Sequence, residues 1–145
     1  MNTHYRADYA NDITNVALAR RGIAGFAAAC GFSDAEIADI RLAAGEALSN
    51  AVEHGADTRS VGFTVECNFD GEELSVEVGD NGRGFAAPTP LTSIEPDQRG
   101  RGFGIFLMRR LMDDVVFARN GTVVRLVRRH SGGRYPSCNL GAARP

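Results

Sequence analysis

The sequence predicts an α+β fold, a two-layer α/β sandwich in which helices cover one face of a mostly antiparallel sheet. Apolar residues recur with helical spacing through most of the stretch from 13 to 54. Apolar and polar residues alternate between 61 and 78 and again after 115, as in half-buried strands. Strands joined by short turns pair antiparallel, and helices grouped apart from them pack on one side of the sheet.

The chain is long enough for one domain with its own hydrophobic core. It has 145 residues, of which 43% are hydrophobic, and two folded domains would be cramped at this length. No internal repeat or linker composition divides it. The predicted organisation is a single domain over residues 1–130 and a flexible tail over 131–145, where glycine, serine and proline are frequent.

The first two predicted elements are a short edge strand and a helix. Residues 4–9 alternate, which indicates the strand. Helical spacing then extends over 13–30, with Asp12 as the expected N-cap and Gly31 as the stop.

The second helix has the clearest start signal in the chain. Ser33 and Glu36 have the spacing of a capping box, in which each side chain bonds the backbone N–H of the other residue. We expect this helix to run to His54 and to end at Gly55. Its core stripe has helical spacing and comprises Ile37, Ile40, Ala44, Leu48 and Ala51.

A hairpin and a long connection follow. The alternating stretches 61–69 and 74–78 flank Asp70-Gly71, a dipeptide favoured in tight turns. The stretch 86–99 contains three prolines and no periodicity. Connections of this length are often lids over a binding site.

One more helix and two strands complete the predicted domain. Helical spacing returns over 103–112, and strands are expected over 115–117 and 124–126. The Asn120-Gly121 pair between these strands predicts a turn.

Charge and composition exclude several classes of function. A net charge of -2 offers no broad cationic field to nucleic-acid phosphates, so no nucleic-acid partner is expected. The sequence shows neither a signal-like apolar segment nor a membrane-spanning run, which predicts a cytoplasmic protein without membrane contact. The cysteines, Cys30, Cys67 and Cys138, are odd in number and far apart, which argues against disulfides or a zinc site. All 16 cationic side chains are arginine, which excludes ATP sites built around a lysine.

The first motif is the pair Glu46 and Asn50. Helical residues four apart share one edge of the helix, and here that edge borders the core stripe. The Asn50 carbonyl suits Mg²⁺, which keeps water and substrate phosphates as its other ligands. Glu46 is placed to orient or deprotonate a nucleophile. Taken alone, the pair is also compatible with an ordinary solvated helix face.

The second motif, Asp80-x-Gly82-x-Gly84, has a hairpin turn as its main alternative. A hairpin needs a returning strand, and the residues after Phe85 do not alternate. We therefore interpret Asp80 as a strand-end carboxylate that faces a cleft, where an acceptor-only side chain suits the amino group of adenine. Gly82 and Gly84 would let a flat ligand approach the backbone closely.

The third motif is a glycine-rich turn that opens a helix. It contains Gly100, Gly102 and Gly104. The turn follows a proline-rich connection rather than a strand, which argues against a dinucleotide fingerprint, and no Gly-Lys-Ser/Thr sequence marks a Walker A site. Free amides at a helix start can hold phosphate, and Arg99 and Arg101 could add positive charge there.

Two further polar residues carry weaker signals. Thr122 enters the last strand from a turn and could place its hydroxyl near the same pocket. His54 stands at the expected end of the second helix, where we expect it to cap or pack rather than to act as a base.

Together the motifs support a resemblance to a known superfamily. Four segments resemble, in order, the N, G1, G2 and G3 boxes of the GHKL ATPases: EALSNAVEHG (46–55), DNGRGF (80–85), GRGFG (100–104) and GT (121–122). The match covers nearly the whole chain. Within that superfamily, the Glu-x-x-x-Asn spacing, the His54-Gly55 ending, the small size and the LMDDV stretch at 111–115 resemble the anti-sigma factor serine/threonine kinases.

The resemblance implies a Bergerat-type sandwich that binds ATP and Mg²⁺. By position, it implies that Asn50 holds the metal, that Glu46 acts as the catalytic base and that Asp80 binds adenine. Further nucleotide contacts are implied for Gly82, Gly84, Arg101, Gly102, Phe103, Gly104 and Thr122.

The same resemblance implies a regulatory function. Such kinases phosphorylate a STAS-type anti-sigma antagonist and sequester a sigma factor, often as homodimers. A non-catalytic module that uses nucleotide only as a structural ligand is the alternative, although the presence of both Glu46 and Asn50 argues against it. Two other branches of the superfamily fit the sequence less well. The histidine-kinase branch would require a phosphoacceptor histidine on a dimerising helix, and the topoisomerase-like branches would require a second domain and usually a lysine. The sequence predicts neither feature.

Overall fold

The computed structural model describes residues 3–58, 62–80 and 101–130. The elements in chain order are β1 (Thr3–Ala10), α1 (Thr14–Ala29), α2 (Asp34–Thr58), β2 (Gly62–Phe69), β3 (Glu73–Asp80), α3 (Arg101–Leu111), β4 (Asp114–Ala118) and β5 (Val123–Arg129), with a 3-10 turn at Arg119–Gly121 before β5. The predicted lid over 86–99 and the predicted tail over 131–145 lie outside the described residues. The predicted α+β class is confirmed.

Within the described residues, one sheet of five strands has the order β1-β2-β3-β5-β4. Its four neighbouring pairs are all antiparallel. β1 lies at one edge of this sheet, as its short alternating sequence predicts, and β4 lies at the other. The pairing of β3 with β5 brings the end of β3 beside the start of β5, since Gly79 is opposite Val123.

The two faces of the sheet differ in polarity. The inward face is apolar and packs against the helices, with Val65, Cys67, Val76, Val78, Val124 and Leu126 among its buried residues. On the outward face Arg125 lies 3.9 Å from Glu77, and Arg129 donates to Glu73 at 2.9 Å. The core therefore sits in a single layer between the sheet and the helices, which places any residue at the margin of α2 between that layer and solvent.

α1 and α2 pack together as neighbours across a tight turn. Gly31 adopts φ 91° after α1, a left-handed conformation that glycine adopts without steric cost. The predicted capping box is present, since the Ser33 N–H donates to Glu36 Oε1 at 2.9 Å and the Glu36 N–H to Ser33 Oγ at 3.1 Å. Both predicted helix signals at this turn are confirmed.

The expected N-cap of α1 is displaced by one residue. The N-cap position is occupied by Ile13, which makes no side-chain capping bond. Asp12 accepts instead from the backbone N–H and the hydroxyl of Thr14, both at 2.9 Å. These two bonds hold the pKa of the Asp12 carboxyl below its usual range.

The expected end of α2 is wrong. The helix continues through Gly55 to Thr58, because a glycine inside a helix costs only about 1 kcal/mol relative to alanine and packing can outweigh that cost. Here a Cβ at position 55 would lie 2.6 Å from Asn11 Oδ1, so the missing side chain is what allows the segment before α1 to approach α2.

The predicted hairpin between β2 and β3 is confirmed. Gly71 adopts φ 99° in the turn. The Asp70 carboxylate accepts from the backbone N–H groups of Glu73 at 2.7 Å and Glu72 at 2.8 Å. These bonds, led by the one from Glu73, hold the pKa of the Asp70 carboxyl below its usual range.

Among the described helices, none is both long and apolar enough to cross a lipid bilayer.

Candidate functional site

Glu46 and Asn50 lie at the margin of α2, one helical turn apart. Both side chains are partly exposed, whereas Ala47, Leu48 and Ala51 on the neighbouring stripe are buried. The Glu46 and Asn50 side chains therefore lie at the border between core and solvent, as the sequence predicted. The buried residues beside them fix the rotation of α2 about its axis, and with it the direction of both side chains.

Asp80 is the last residue of β3. Its backbone N–H donates to the Thr122 carbonyl at 2.8 Å. The Thr122 hydroxyl in turn donates to the Arg119 carbonyl at 2.8 Å, and Arg119 has a φ of 51°. The end of β3 is thus tied to the turn before β5, and a left-handed residue in that turn helps to set the connection.

One cleft brings these elements together. It opens between α2, the end of β3 and the turn before β5. Its lining comprises Ala47, Asn50, Ala51, His54, Val78, Asp80, Phe117, Gly121, Thr122 and Val124. The structure therefore gathers Asn50, Asp80 and Thr122, which are far apart in sequence, around one cavity with an apolar floor.

The cleft is narrow. Its volume is about 10 Å³, which is space for about one water molecule. A purine ring is larger than this volume.

Glu46 faces α3 rather than the cleft lining. A Cβ at Gly104 would lie 2.6 Å from Glu46 Oε1 and 3.7 Å from its carboxyl carbon. Because Gly104 is in the first turn of α3, the carboxylate lies against the start of that helix. The first and third motifs thus meet in space at this contact, one turn of α2 from the cleft residue Asn50.

The Asn50 carbonyl fits Mg²⁺, because it is a hard oxygen donor in the cleft lining. Within the ranges that the structure describes, no group of three or more His, Cys, Asp or Glu side chains is arranged to hold a metal ion. A magnesium ion bound here would therefore take most of its ligands from phosphate and water, as it does in phosphoryl-transfer sites.

Several predicted contacts stand apart from the cleft or outside the described residues. Gly82 and Gly84 lie outside the described residues, and the side chain of Arg101 is likewise not described. Gly102 belongs to the first turn of α3. Phe103 is 59% exposed and stacks on Phe106 with ring centroids 6.1 Å apart, so the structure does not bring its ring into the cleft lining.

His54 and Phe117 also line the cleft, although neither was predicted to belong to the site. His54 is 8% exposed and lines the cleft, although it was expected to cap or pack at a helix end. Its spacing from Glu46 and Asn50 is the available signal, since residues four apart share a helix edge. Phe117 also lines the cleft. It follows the buried Val115 by two residues in β4, and residues two apart in a strand share a face, so the sequence could have placed Phe117 on the inward face.

The chain is similar in sequence to several known proteins. A family model described as "Histidine kinase-like ATPase domain" matches residues 9–128. The serine-protein kinase RsbW of Listeria innocua is 37% identical over 109 residues, which cover 69% of each chain. An anti-sigma F factor of Thermoanaerobacter sp. is 31% identical over 121 residues, covering 79% of this chain and 85% of the relative. An anti-sigma F factor of Clostridium botulinum is 29% identical over 127 residues.

Proposed function

Because this chain belongs to the histidine kinase-like ATPase family, we propose that it is an Mg-ATP-dependent serine/threonine-protein kinase that also acts as an anti-sigma factor. Its protein substrate is a STAS-type anti-sigma antagonist, and its second partner is a sigma factor that it sequesters. It works as a homodimer in the cytoplasm. The names of its relatives, serine-protein kinase and anti-sigma F factor, support the kinase activity and the sigma partner.

The observation that carries the proposal is the convergence of three motifs. Asn50 and Asp80 line one cleft, and Glu46, one helical turn from Asn50, lies against Gly104. Separate surfaces could not serve one nucleotide, whereas this arrangement offers an adenine acceptor, a metal ligand and a carboxylate within one region. Catalysis of phosphoryl transfer consists mainly of such positioning and charge stabilisation.

The protein groups divide the binding task between them. The Asp80 carboxylate accepts a hydrogen bond from the amino group of adenine, and the buried apolar floor of the cleft covers the ring face. Asn50 would hold Mg²⁺, which would supply positive charge to the phosphates. The first turn of α3 offers backbone N–H groups that have no acceptor within the helix, and its glycines let phosphate oxygens approach them. The hydroxyl of Thr122 and the ring of His54 complete the polar lining.

Glu46 supplies the proton acceptor. The hydroxyl oxygen of the partner's serine or threonine bonds to the γ-phosphorus, and the bond from that phosphorus to the bridging oxygen of ADP breaks. The hydroxyl proton passes to the Glu46 carboxylate. A positioned base of this kind contributes a rate factor of about 10²–10⁴.

The proposal is tested by mixing the protein with Mg-ATP and a STAS-domain partner and weighing the partner by intact mass. We expect the partner to gain one phosphate. In Glu46→Gln the transfer rate falls by about 10²–10⁴, while calorimetry shows that nucleotide still binds. Glu53→Gln, on the exposed side of the same helix, is the matched control and keeps the rate.

Two outcomes would contradict the proposal. Undiminished transfer by Glu46→Gln would remove Glu46 from the role of base. Nucleotide-dependent binding of a sigma factor without any phosphate gain on the antagonist would instead identify the protein as the non-catalytic module.

A further inference from the structure

Arg128 occupies an unusual place at the end of the inward face of the sheet. In β5 the side chains of Val124 and Leu126 point into the core, and alternation along the strand places Arg128 on the same face. Its side chain is 18% exposed. Burial of a charged group at such a position is costly unless the group is paired, so the partners of the Arg128 guanidinium matter for the fold.

The guanidinium of Arg128 joins two helices. Its Nη1 donates to the Leu111 carbonyl at 2.7 Å and to Asp39 Oδ2 at 3.1 Å. Leu111 is the last residue of α3, where the negative end of the helix dipole attracts a cation. Asp39 lies on α2. A single arginine thus ties the end of α3 to the first half of α2.

The backbone around Arg128 holds the same junction. The Asp113 N–H donates to the Val127 carbonyl at 2.8 Å. The Arg129 N–H donates to Asp113 Oδ2 at 2.6 Å. The residues that follow α3 are therefore anchored on β5, and the backbone on both sides of Arg128 is held in place.

The contact of Glu46 with Gly104 forms a second tie between the same two helices. Along α2 this tie lies about two helical turns, roughly 10 Å, beyond Asp39. Along α3 it lies the same distance before Leu111. The two ties occur in opposite order along the two helices, so α2 and α3 run antiparallel. Together the two ties define the position of α3 along α2.

We propose that Arg128 is a positioning residue for Glu46. By holding the end of α3 on α2, it keeps Gly104 beside the Glu46 carboxylate, where the absence of a side chain leaves room for that group. A shift of α3 along α2 would move the space at Gly104 away from the carboxylate and so change the position of that group. The catalytic consequence rests on the proposed function, whereas the effect on the position of α3 does not.

The kinetic test compares Arg128→Met with Arg129→Met. Arg129 is the matched control, because its side chain is 62% exposed and, within the described residues, pairs with Glu73 on the outward face. For Arg128→Met we expect kcat for phosphate transfer to fall by about 10–100-fold, as misplacement by about 1 Å produces, with KM for ATP changed less than about twofold. Arg128→Lys, which keeps one charge, restores part of kcat. Unchanged kcat in Arg128→Met overturns the proposal.

Hydrogen exchange gives a second readout that does not depend on catalysis. In Arg128→Met the amides of α3 exchange faster, while those of β2 and β3 keep their protection. Arg129→Met leaves both regions unchanged. If wild-type protein transfers no phosphate, the proposed function fails, and hydrogen exchange alone tests whether Arg128 positions α3. Equal protection of α3 in Arg128→Met and Arg129→Met then overturns the proposal. A uniform loss of protection overturns it as well, since that result assigns Arg128 to global stability.

Discussion

At the scale of single residues, Gly104 shows how a missing side chain shapes the site. An added Cβ would lie 2.6 Å from Glu46 Oε1, closer than two such atoms approach each other without repulsion. The neighbouring group is the end of a flexible side chain, so it can move away. The cost of a substitution therefore falls on the position of the carboxylate more than on the stability of the fold.

We predict that Gly104→Ala lowers kcat by about tenfold or more through displacement of Glu46, while the free energy of unfolding changes by no more than about 1 kcal/mol. Denaturant unfolding and phosphate transfer measure the two effects. Gly25→Ala is the matched control, because a Cβ there would meet no atom of the described residues within 4 Å apart from the neighbouring backbone of α1. It should stabilise α1 by about 0.5–1 kcal/mol and leave kcat unchanged. Equal kcat in the two variants would contradict the prediction that a side chain at position 104 displaces Glu46.

Cys67 illustrates how burial determines chemistry. The side chain is fully buried in β2. Burial, followed by the nearby charge of Glu66, raises the pKa of its thiol to about 12. The thiol is therefore protonated in the folded protein at any physiological pH, and it serves as a small apolar residue rather than a nucleophile.

The raised pKa of Cys67 predicts a pH-dependent stability. The unfolded thiol ionises near its ordinary pKa of about 9, whereas the folded thiol stays neutral to about 12. The contribution is fully present below pH 9 and is lost as pH rises toward 12, at about 1.4 kcal/mol per pH unit. Denaturant unfolding of wild type and Cys67→Ala at several pH values measures it. The stability difference between them should shrink above pH 9, and a constant difference would contradict the prediction.

At the scale of secondary structure, α2 does most to build the site. Its start is set by the reciprocal bonds of Ser33 and Glu36, and its body presents Glu46 and Asn50 on one edge. Its last turns continue through Gly55, which keeps His54 within the helix and directed at the cleft. One element therefore supplies three polar side chains spaced four residues apart.

The capping box gives the prediction at this scale. Glu36 is 4% exposed, so its bond to the Ser33 N–H is protected from solvent. Ser33→Ala removes the partner bond and should lower the free energy of unfolding by about 1 kcal/mol. Thermal and denaturant unfolding measure the change. Ser49→Ala, at an exposed position inside the same helix, should not destabilise the protein because serine has no capping role there. A similar loss in both variants would show that the box is not responsible.

At the scale of the whole molecule, the cleft is a meeting point of distant segments. The chain leaves α2, forms β2 and β3, and returns through α3 and β4 before the turn at Thr122 closes the cleft. Ligand binding at such a point joins α2, the sheet and the turn before β5. A ligand that binds only this folded arrangement must raise the stability of the whole domain.

We predict that Mg-ATP stabilises the protein by about 2.7 kcal/mol when free nucleotide is at about 100 times its Kd. A thermal-shift series with ATP, with and without EDTA, measures this effect, and removal of magnesium should reduce it. Asp80→Ala should abolish most of the shift because adenine loses its acceptor. Asp8→Ala, whose carboxylate bonds Thr64 and takes no part in the cleft lining, should keep it. An equal shift in both variants would exclude Asp80 from the adenine site.

Much of this protein follows from local patterns in its sequence. The capping box, the Asp70-Gly71 hairpin, the glycine after α1 and the alternation of each strand depend on neighbouring residues alone, and these predictions are confirmed. The α+β class follows from the order of these elements. The spacing of Glu46 and Asn50 likewise reports one helix edge, because the geometry of a helix is the same wherever it packs.

Other features depend on contacts between residues far apart in sequence. Whether α2 stops at Gly55 is decided by the approach of Asn11, which no helix signal contains. The end of β3 meets the turn at Thr122 because β3 pairs with β5, and the meeting of Gly104 with Glu46 follows from the packing of α3 on α2. Local patterns predicted which residues could bind a nucleotide. Tertiary packing decided which of them share one cleft, since distances across a fold are set by side-chain volumes and strand order rather than by sequence spacing.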